Sequence, residues 1–298
     1  MKFADERTNT LYLARSLSRY DNVFNSLIAT KNNIKINFIS GTKNIWARDY
    51  MPLQVEKEKF VKFNYKGYGD EDSINKGLSY NQYPQLVVPD SCWSFLNPTI
   101  SSIVLDGGNI IRYDCKVIIT DIVFKHNPNF ERENLIKELE SLLDAEIIVI
   151  PAEPFDDLGH SDGICKFVDE KTIYMNDYRI MKQTMYDDYM GELISIFKKH
   201  KLRPLAFPYA YNKCPRITET QFRKKYPDAD DFNPGFGYYI NYLQMKDKIF
   251  LPIFNIKEDE GAIKVAEQYL DLEIIPIDCA DLSMEGGLLN CVTANYDL

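Results

Sequence analysis

The stretch SIVLDGGNIIRYDCKVIITD, residues 102–121, followed by ERENLIKELESLLDAEIIVIP, residues 131–151, lays out one structural unit. Short β-branched runs broken by turn signals come first and read as paired strands. In the second segment the apolar residues recur at helical spacing, so 131–146 reads as an amphipathic helix with EIIVIP following at once as a strand. The order is hairpin, helix, strand. The same order returns twice downstream. ICKFVDEKTIYMND (164–177) turns at DEKT and leads into RIMKQTMYDDYMGELISIFKKHK (179–201), a helix whose basic end suits the negative helix C-terminus. YYINYLQMKDKIFLPIF (238–254) turns at MKDK and leads into the helix EDEGAIKVAEQYL (258–270) and the strand LEIIPID (272–278). Nearer the start, IKINFIS (34–40) alternates as a strand does, whereas Leu11, Leu13, Leu17, Val23, Phe24, Leu27 and Ile28 predict a helix over 5–30, interrupted near Asp21. No Pro/Gly/Ser-rich linker interrupts the chain, and residues 1–298 read as one α/β domain. The polar, Gly-containing segment 66–84 reads as a long loop, with a lid over a substrate as its expected role.

Composition narrows the function. The chain has 298 residues, 45% of them hydrophobic, and a formal net charge of −9. Such a balance disfavours binding to a phosphate backbone and favours a cationic partner. No apolar run reaches the ~18 residues of a membrane span, and the charged N-terminus lacks the apolar core of a secretory signal. The six cysteines form no CxxC pair, and the histidines number three, so neither a zinc cluster nor any other cofactor is expected. Scattered cysteines without a signal read as reduced thiols, most of them buried, in a cytoplasmic protein.

Polar residues gather where strands meet turns: Asp49 in NIWARDYMP, Asp106 in VLDGGNI, His160 and Asp162 in LGHSDG, Asn241 in GYYINYL and Cys291 in EGGLLNC. Counted from Asp49 to Asp106, His160, Asn241 and Cys291, the intervals are 57, 54, 81 and 50 residues. Three of the four fall within 50–57 residues, the size of one supersecondary unit, and the longer interval implies an insertion. Each unit would deliver one polar cluster to a common centre. Taken alone, Cys291 could be core filling, half of a disulfide, a metal ligand or a nucleophile. Asp49 could pair with Arg48 or cap a turn, Asn109 could be a turn residue, and Asn241 could cap a strand edge.

In order along the chain, WARDYMP (46–52), LDGGNI (105–110), GHSDGICKFV (159–168), GYYINY (237–242) and EGGLLNCVT (285–293) resemble the motifs of the agmatine deiminase family and of the bacterial peptidylarginine deiminase-like enzymes. The resemblance spans about 46 to 293. It implies a pentein α/β-propeller, five ββαβ units around a pseudo-five-fold axis, and deimination of a guanidino group to a ureido product plus ammonia. On that resemblance Cys291 is the nucleophile and passes through a covalent thiouronium. His160 is the general acid and base. Asp162 and Asp49 hold the planar guanidinium, and Asp106 orients His160. Trp46, Asn109 and Asn241 would line the substrate. No metal or other cofactor is implied.

Three positions depart from the pattern. Asp106 stands where many relatives have Glu, one methylene longer. Tyr50-Met51 replace Thr-Gly after WxRD, and Asn290 replaces the His usual before the nucleophile. The expected partner is therefore a small cationic guanidino compound, agmatine among them, or an arginine side chain in a peptide, with neither nucleic acid nor membrane involved. A homo-oligomer is compatible with the sequence. Two alternatives keep the residues but change the outcome: amidino transfer to an amine on the same fold, or a catalytically silent guanidinium-binding protein.

Overall fold

The computed structural model describes residues 7–29, 34–65, 88–156, 158–214, 235–269 and 271–298; the 66–84 segment lies outside the described residues. The chain opens with β1 (Thr10–Ala14), α1 (Asp21–Ala29) and β2 (Lys35–Ile39), and α2 (Ala47–Tyr50) then leads into β3 (Leu53–Glu56), β4 (Lys59–Asn64) and β5 (Thr99–Val104). The stretch that opened the sequence reading forms β6 (Ile111–Tyr113), β7 (Lys116–Thr120), α3 (Ile122–His126), α4 (Arg132–Leu143) and β8 (Glu146–Ile150). Next come β9 (Cys165–Phe167), β10 (Thr172–Asn176), α5 (Thr184–Lys199) and β11 (Arg203–Phe207). The last elements are β12 (Leu243–Met245), β13 (Lys248–Ile253), α6 (Glu258–Tyr269), β14 (Glu273–Asp278) and β15 (Thr293–Tyr296).

Among the described residues the strands form five three-stranded sheets of one plan. The first two strands of four sheets, β3–β4, β6–β7, β9–β10 and β12–β13, are antiparallel, and the third strand joins in parallel. A parallel return needs a crossover, which helices provide in the β1–β2, β7–β8, β10–β11 and β13–β14 pairs. The fifth sheet closes the ring: β15 pairs antiparallel with β1, Thr10 opposite Tyr296, and β1 pairs in parallel with β2. The expected propeller of five ββαβ units is what forms. Leu135, Leu139 and Leu143 show how a helix seals a sheet: they stand at i, i+4, i+8 and are fully buried against Val117, Ile119 and Ile147. Each such leucine stabilises by roughly 1.5–3 kcal/mol.

Two expectations for the helices fail, each for a local reason. Thr10–Ala14 is a strand, not the start of a helix, because β2 and β15 flank it and its side chains are buried on both faces. The helix expected from 179 starts at Thr184: Tyr178–Met181 form a 3-10 turn capped by Asp177, and Lys182 at φ 53° turns the chain out of helical geometry.

The first strands of the sheets meet at the centre. Leu53, Arg112, Tyr113, Lys166, Phe167 and Gln244 line one cavity with Arg48 and Asn290. Hydrogen bonds tie these strands across the sheets: Arg112 donates to Gln54 O at 3.3 Å, Gln54 donates to Asp297 O at 2.9 Å, and Asn295 donates to Gln244 O at 3.4 Å.

Candidate active site

Each polar turn picked out in the sequence runs into the first strand of a sheet. Asp49 sits in α2 ahead of β3; Asp106 and Asn109 frame the 3-10 turn Gly107–Asn109 ahead of β6; His160 and Asp162 precede β9; Asn241 precedes β12; Cys291 precedes β15. The spacing of about one unit per cluster thus becomes convergence on one centre.

His160 stands between two carboxylates. Its Nε2 lies 3.4 Å from Asp106 Oδ2 and its Nδ1 lies 3.8 Å from Asp49 Oδ1. The shorter side chain at 106 therefore does reach the imidazole, while its other oxygen, Oδ1, is buried and makes no hydrogen bond. Asp49 Oδ1 also accepts from the Gly108 N–H at 2.8 Å. Gly108 is required by this closeness: a Cβ there would stand 2.5 Å from His160 Nδ1 and 2.7 Å from Asp49 Oδ1. Arg48 turns away from its neighbour and donates to Asn290 O at 3.2 Å and to Asn295 Oδ1 at 2.7 Å. Burial works to lower the His160 pKa, but Asp49, Asp106 and Asp162 together outweigh it and raise it to about 10. The ring is an imidazolium at neutral pH.

Cys291 stands among amides and a carboxylate. Its Sγ lies 3.4 Å from Asn241 Oδ1 and 3.6 Å from Asp162 Oδ2. Burial pushes the thiol well above its ordinary range, and Asp162 and Asp49 push further in the same direction. The segment is pinned by its backbone, since Arg48 N–H donates to Cys291 O at 3.0 Å and Val292 N–H to Leu288 O at 3.1 Å. Trp46 packs over Gly287: a Cβ at 287 would lie 2.4 Å from the indole and 3.1 Å from Cys291 Cβ. The Gly286-Gly287 pair thus lets the tryptophan and the cysteine share one wall.

Asp162 occupies a 3-10 turn, Ser161–Gly163, and not the extended strand that would put it on one face with His160. The turn is tied down from outside. Asn109 Oδ1 accepts from Ser161 N–H at 3.3 Å and Thr120 N–H at 2.8 Å, and Asn241 Nδ2 donates to the Asp162 carbonyl at 3.3 Å. Both asparagines, expected at the substrate, spend these groups on the frame, and Asn241 alone also touches the thiol.

Two residues with no role assigned from sequence join the site, and a third braces the segment ahead of His160. Asn290 Nδ2 donates to Asp162 Oδ2 at 2.7 Å, and Lys166 Nζ donates to Asn290 Oδ1 at 3.0 Å. Lys166 was visible as a lone cation inside the apolar run ICKFV. Glu153, seven positions ahead of His160, is buried and accepts from Tyr178 at 3.0 Å and from Tyr209 and Tyr238 at 3.2 Å each. Burial, followed by the nearby Asp156 carboxylate, pushes it up to about 8 despite those three donors. All six cysteines are free thiols, with Cys92, Cys165 and Cys279 buried. Among the described residues no group of His, Cys, Asp and Glu is placed to hold a metal, and no helix is long and apolar enough to cross a membrane.

The family model for Porphyromonas-type peptidyl-arginine deiminase matches residues 3–296. The chain belongs to that family. Within the deiminase family, a curated relative from Lactococcus lactis subsp. lactis (strain IL1403), "Putative agmatine deiminase", is 24% identical over 208 residues. That match takes in 64% of this chain and 56% of the relative, so it spans little more than half the relative's length. Among solved structures, the C. jejuni agmatine deiminase superposes with a TM-score of 0.70 at 16% identity, over 99% of this chain and 95% of that one. The same enzyme is known as a cysteine-to-serine variant with substrate bound. The agmatine deiminase of Enterococcus faecalis superposes with a TM-score of 0.72 at 15% identity, over 98% of this chain and 93% of that one. These likenesses establish that the family's five-unit propeller is the fold of this chain.

Proposed function

We propose that the protein is a deiminase that hydrolyses a guanidino group to a ureido group and ammonia, with Cys291 as nucleophile. The observation that carries this reading is the meeting of one thiol, one doubly flanked imidazolium and two carboxylates. Cys291 Sγ is 3.6 Å from Asp162, and His160 Nδ1 is 3.8 Å from Asp49. A guanidinium is planar, cationic and stabilised by resonance, so it needs paired acceptors to hold it and a thiolate to attack it. Asp49 and Asp162 supply the acceptors, and Trp46 supplies an aromatic wall for the cation.

The charge state of the free site is that of a resting enzyme. The thiol is protonated because it is buried beside two anions. A bound guanidinium neutralises those same anions, so the thiol releases its proton to solvent and the thiolate forms. Sulfur then adds to the guanidine carbon. His160, protonated at neutral pH, gives its proton to the departing nitrogen, which leaves as ammonia. The neutral imidazole next takes a proton from water, and the hydroxide adds to the thiouronium carbon. The hydroxyl proton passes to sulfur as the C–S bond breaks, the ureido product leaves, and the Cys291 thiol is regenerated. Asp106, 3.4 Å from Nε2, holds the ring through these exchanges.

The test is to incubate the protein with agmatine, free arginine and acetyl-arginine amide, and to measure ammonia and ureido product beside Cys291→Ala. Product from at least one guanidine, absent with Cys291→Ala, is expected. Amidino transfer to an added amine without ammonia release would point to a transferase, and binding without any turnover to a silent guanidinium-binding protein.

A further inference from the structure

We propose that Lys166 and Asn290 are positioning residues that set the Asp162 carboxylate for a guanidinium, a claim that rests on the deiminase reading above. Lys166 is buried at 4% exposure on β9, on the central cavity beside Arg48 and Arg112. Its ammonium donates to Asn290 Oδ1 at 3.0 Å and to Tyr242 O at 3.3 Å, and it lies 5.3 Å from the Tyr242 ring centroid. An ammonium has donors only, so the amide must turn its oxygen toward it. That choice leaves the Asn290 NH₂ facing Asp162, where it donates to Oδ2 at 2.7 Å. The lysine thus decides which end of the amide the carboxylate meets.

Asn290 is also fixed through its backbone. Its N–H donates to Asn241 at 3.2 Å and its carbonyl accepts from Arg48 Nε at 3.2 Å. Cys291 follows directly in sequence, so one short segment aims both the nucleophile and the donor to its neighbouring carboxylate. The oxygen that takes the amide N–H is the one 3.6 Å from Sγ. With Oδ2 so held, the carboxylate is oriented before substrate arrives, and binding loses less in ordering it. The chain of two hydrogen bonds also places a cation behind the anion.

This gives the asparagine a chemical requirement: residue 290 must accept from Lys166 and donate to Asp162. A neutral histidine meets it too, one ring nitrogen accepting and the other donating. Leucine has the same branched arrangement of four side-chain heavy atoms as asparagine and meets neither demand.

The experiment measures agmatine and acetyl-arginine amide affinity by calorimetry in a Cys291→Ala background, to which Asn290→Leu, Asn290→His or Lys166→Met is added. Thermal melts monitor folding. A hydrogen bond to a charged group corresponds to ~10-fold or more in affinity. Asn290→Leu is therefore expected to weaken binding about 10-fold or more, with Lys166→Met following it in part and Asn290→His within about 3-fold of the background. In the active chain, the same substitutions should raise KM more than they lower kcat. Lys166→Met replaces a buried charge with an apolar chain, so a melting temperature kept or raised together with weaker binding separates positioning from a structural role. Equal affinity in all folded variants would overturn the inference even if the protein is an active deiminase, and so would absence of guanidinium binding altogether. Binding that tracks the variants without any ammonia release would sustain the inference and sink the deiminase reading.

Discussion

Gly108 carries a simple demand: nothing larger than hydrogen fits between His160 and Asp49. Gly108→Ala is expected to leave the fold in place and lower kcat/KM by about 100-fold or more, because a misplacement near 1 Å at the reacting groups costs that much. Steady-state kinetics beside a thermal melt check this; unchanged kinetics would mean that the two side chains need not be so close. The charge states make a second prediction. Thiolate and imidazolium must coexist, the thiol starts well above its ordinary pKa, and His160 is raised to about 10. The log kcat/KM should therefore climb from neutral pH and stop climbing near pH 10, where His160 loses its proton as fast as the thiol ionises. A profile that falls from pH 7 upward would contradict the imidazolium. At this scale the sequence was informative about residue type. Cys291, His160, Asp162, Asp49 and Asp106 were legible as polar residues at strand–turn junctions. Lys166 beside Asn290 was not, because those positions are 124 residues apart and meet only in the folded chain.

The loop from β8 to His160 is held by a buried acid. Glu153 joins Tyr178, just past β10, to Tyr209, just past β11, and to Tyr238 on the approach to β12. Its carboxyl is raised from 4.5 to about 8, so between those pH values the native state keeps a proton that the unfolded state has lost. Stability therefore falls as pH rises through that window. Glu153→Gln removes the titration. Its melting temperature, relative to the parent protein, should improve from about pH 4.5 to about pH 8 and level off above that; a constant difference across that range would show that Glu153 does not titrate as proposed. The helices α4, α5 and α6 could be read from periodicity because their burial is one-sided and local. β1 could not. Leu13 and Leu17 fit a helix face while Leu11 and Leu13 alternate as a strand does, and the partner that decides the matter, β15, lies at the other end of the chain. The 3-10 turn under Asp162 was likewise invisible, since it is held by Asn109 and Asn241 from two other units.

The ring is closed by its two ends. Tyr296 on β15 is buried and donates to Pro52 O at 2.8 Å, and Asn9 N–H donates to Tyr296 O at 2.8 Å. Deleting residues 293–298 should abolish the cooperative melt followed by circular dichroism, because β1 would lose its antiparallel partner and the Cys291 segment its anchor; an unchanged melt would refute closure by β15. The five-unit plan was legible because intervals of 50–57 residues between most of the polar turns mark a repeat, and a resemblance in five ordered motifs named the same plan. What the intervals could not carry was the depth of the centre, where Arg48, Arg112 and Lys166 share one cavity behind the site. The central claim is chemical: Cys291 attacks a guanidine carbon and ammonia leaves before water enters. Intact-mass measurement of rapidly quenched protein during turnover of agmatine or acetyl-arginine amide tests it most directly. The account predicts a transient species heavier than the protein by the substrate minus one ammonia, mapped to Cys291 and absent from Cys291→Ala. Ureido product formed at full rate by Cys291→Ala, or an adduct on another residue, would contradict it.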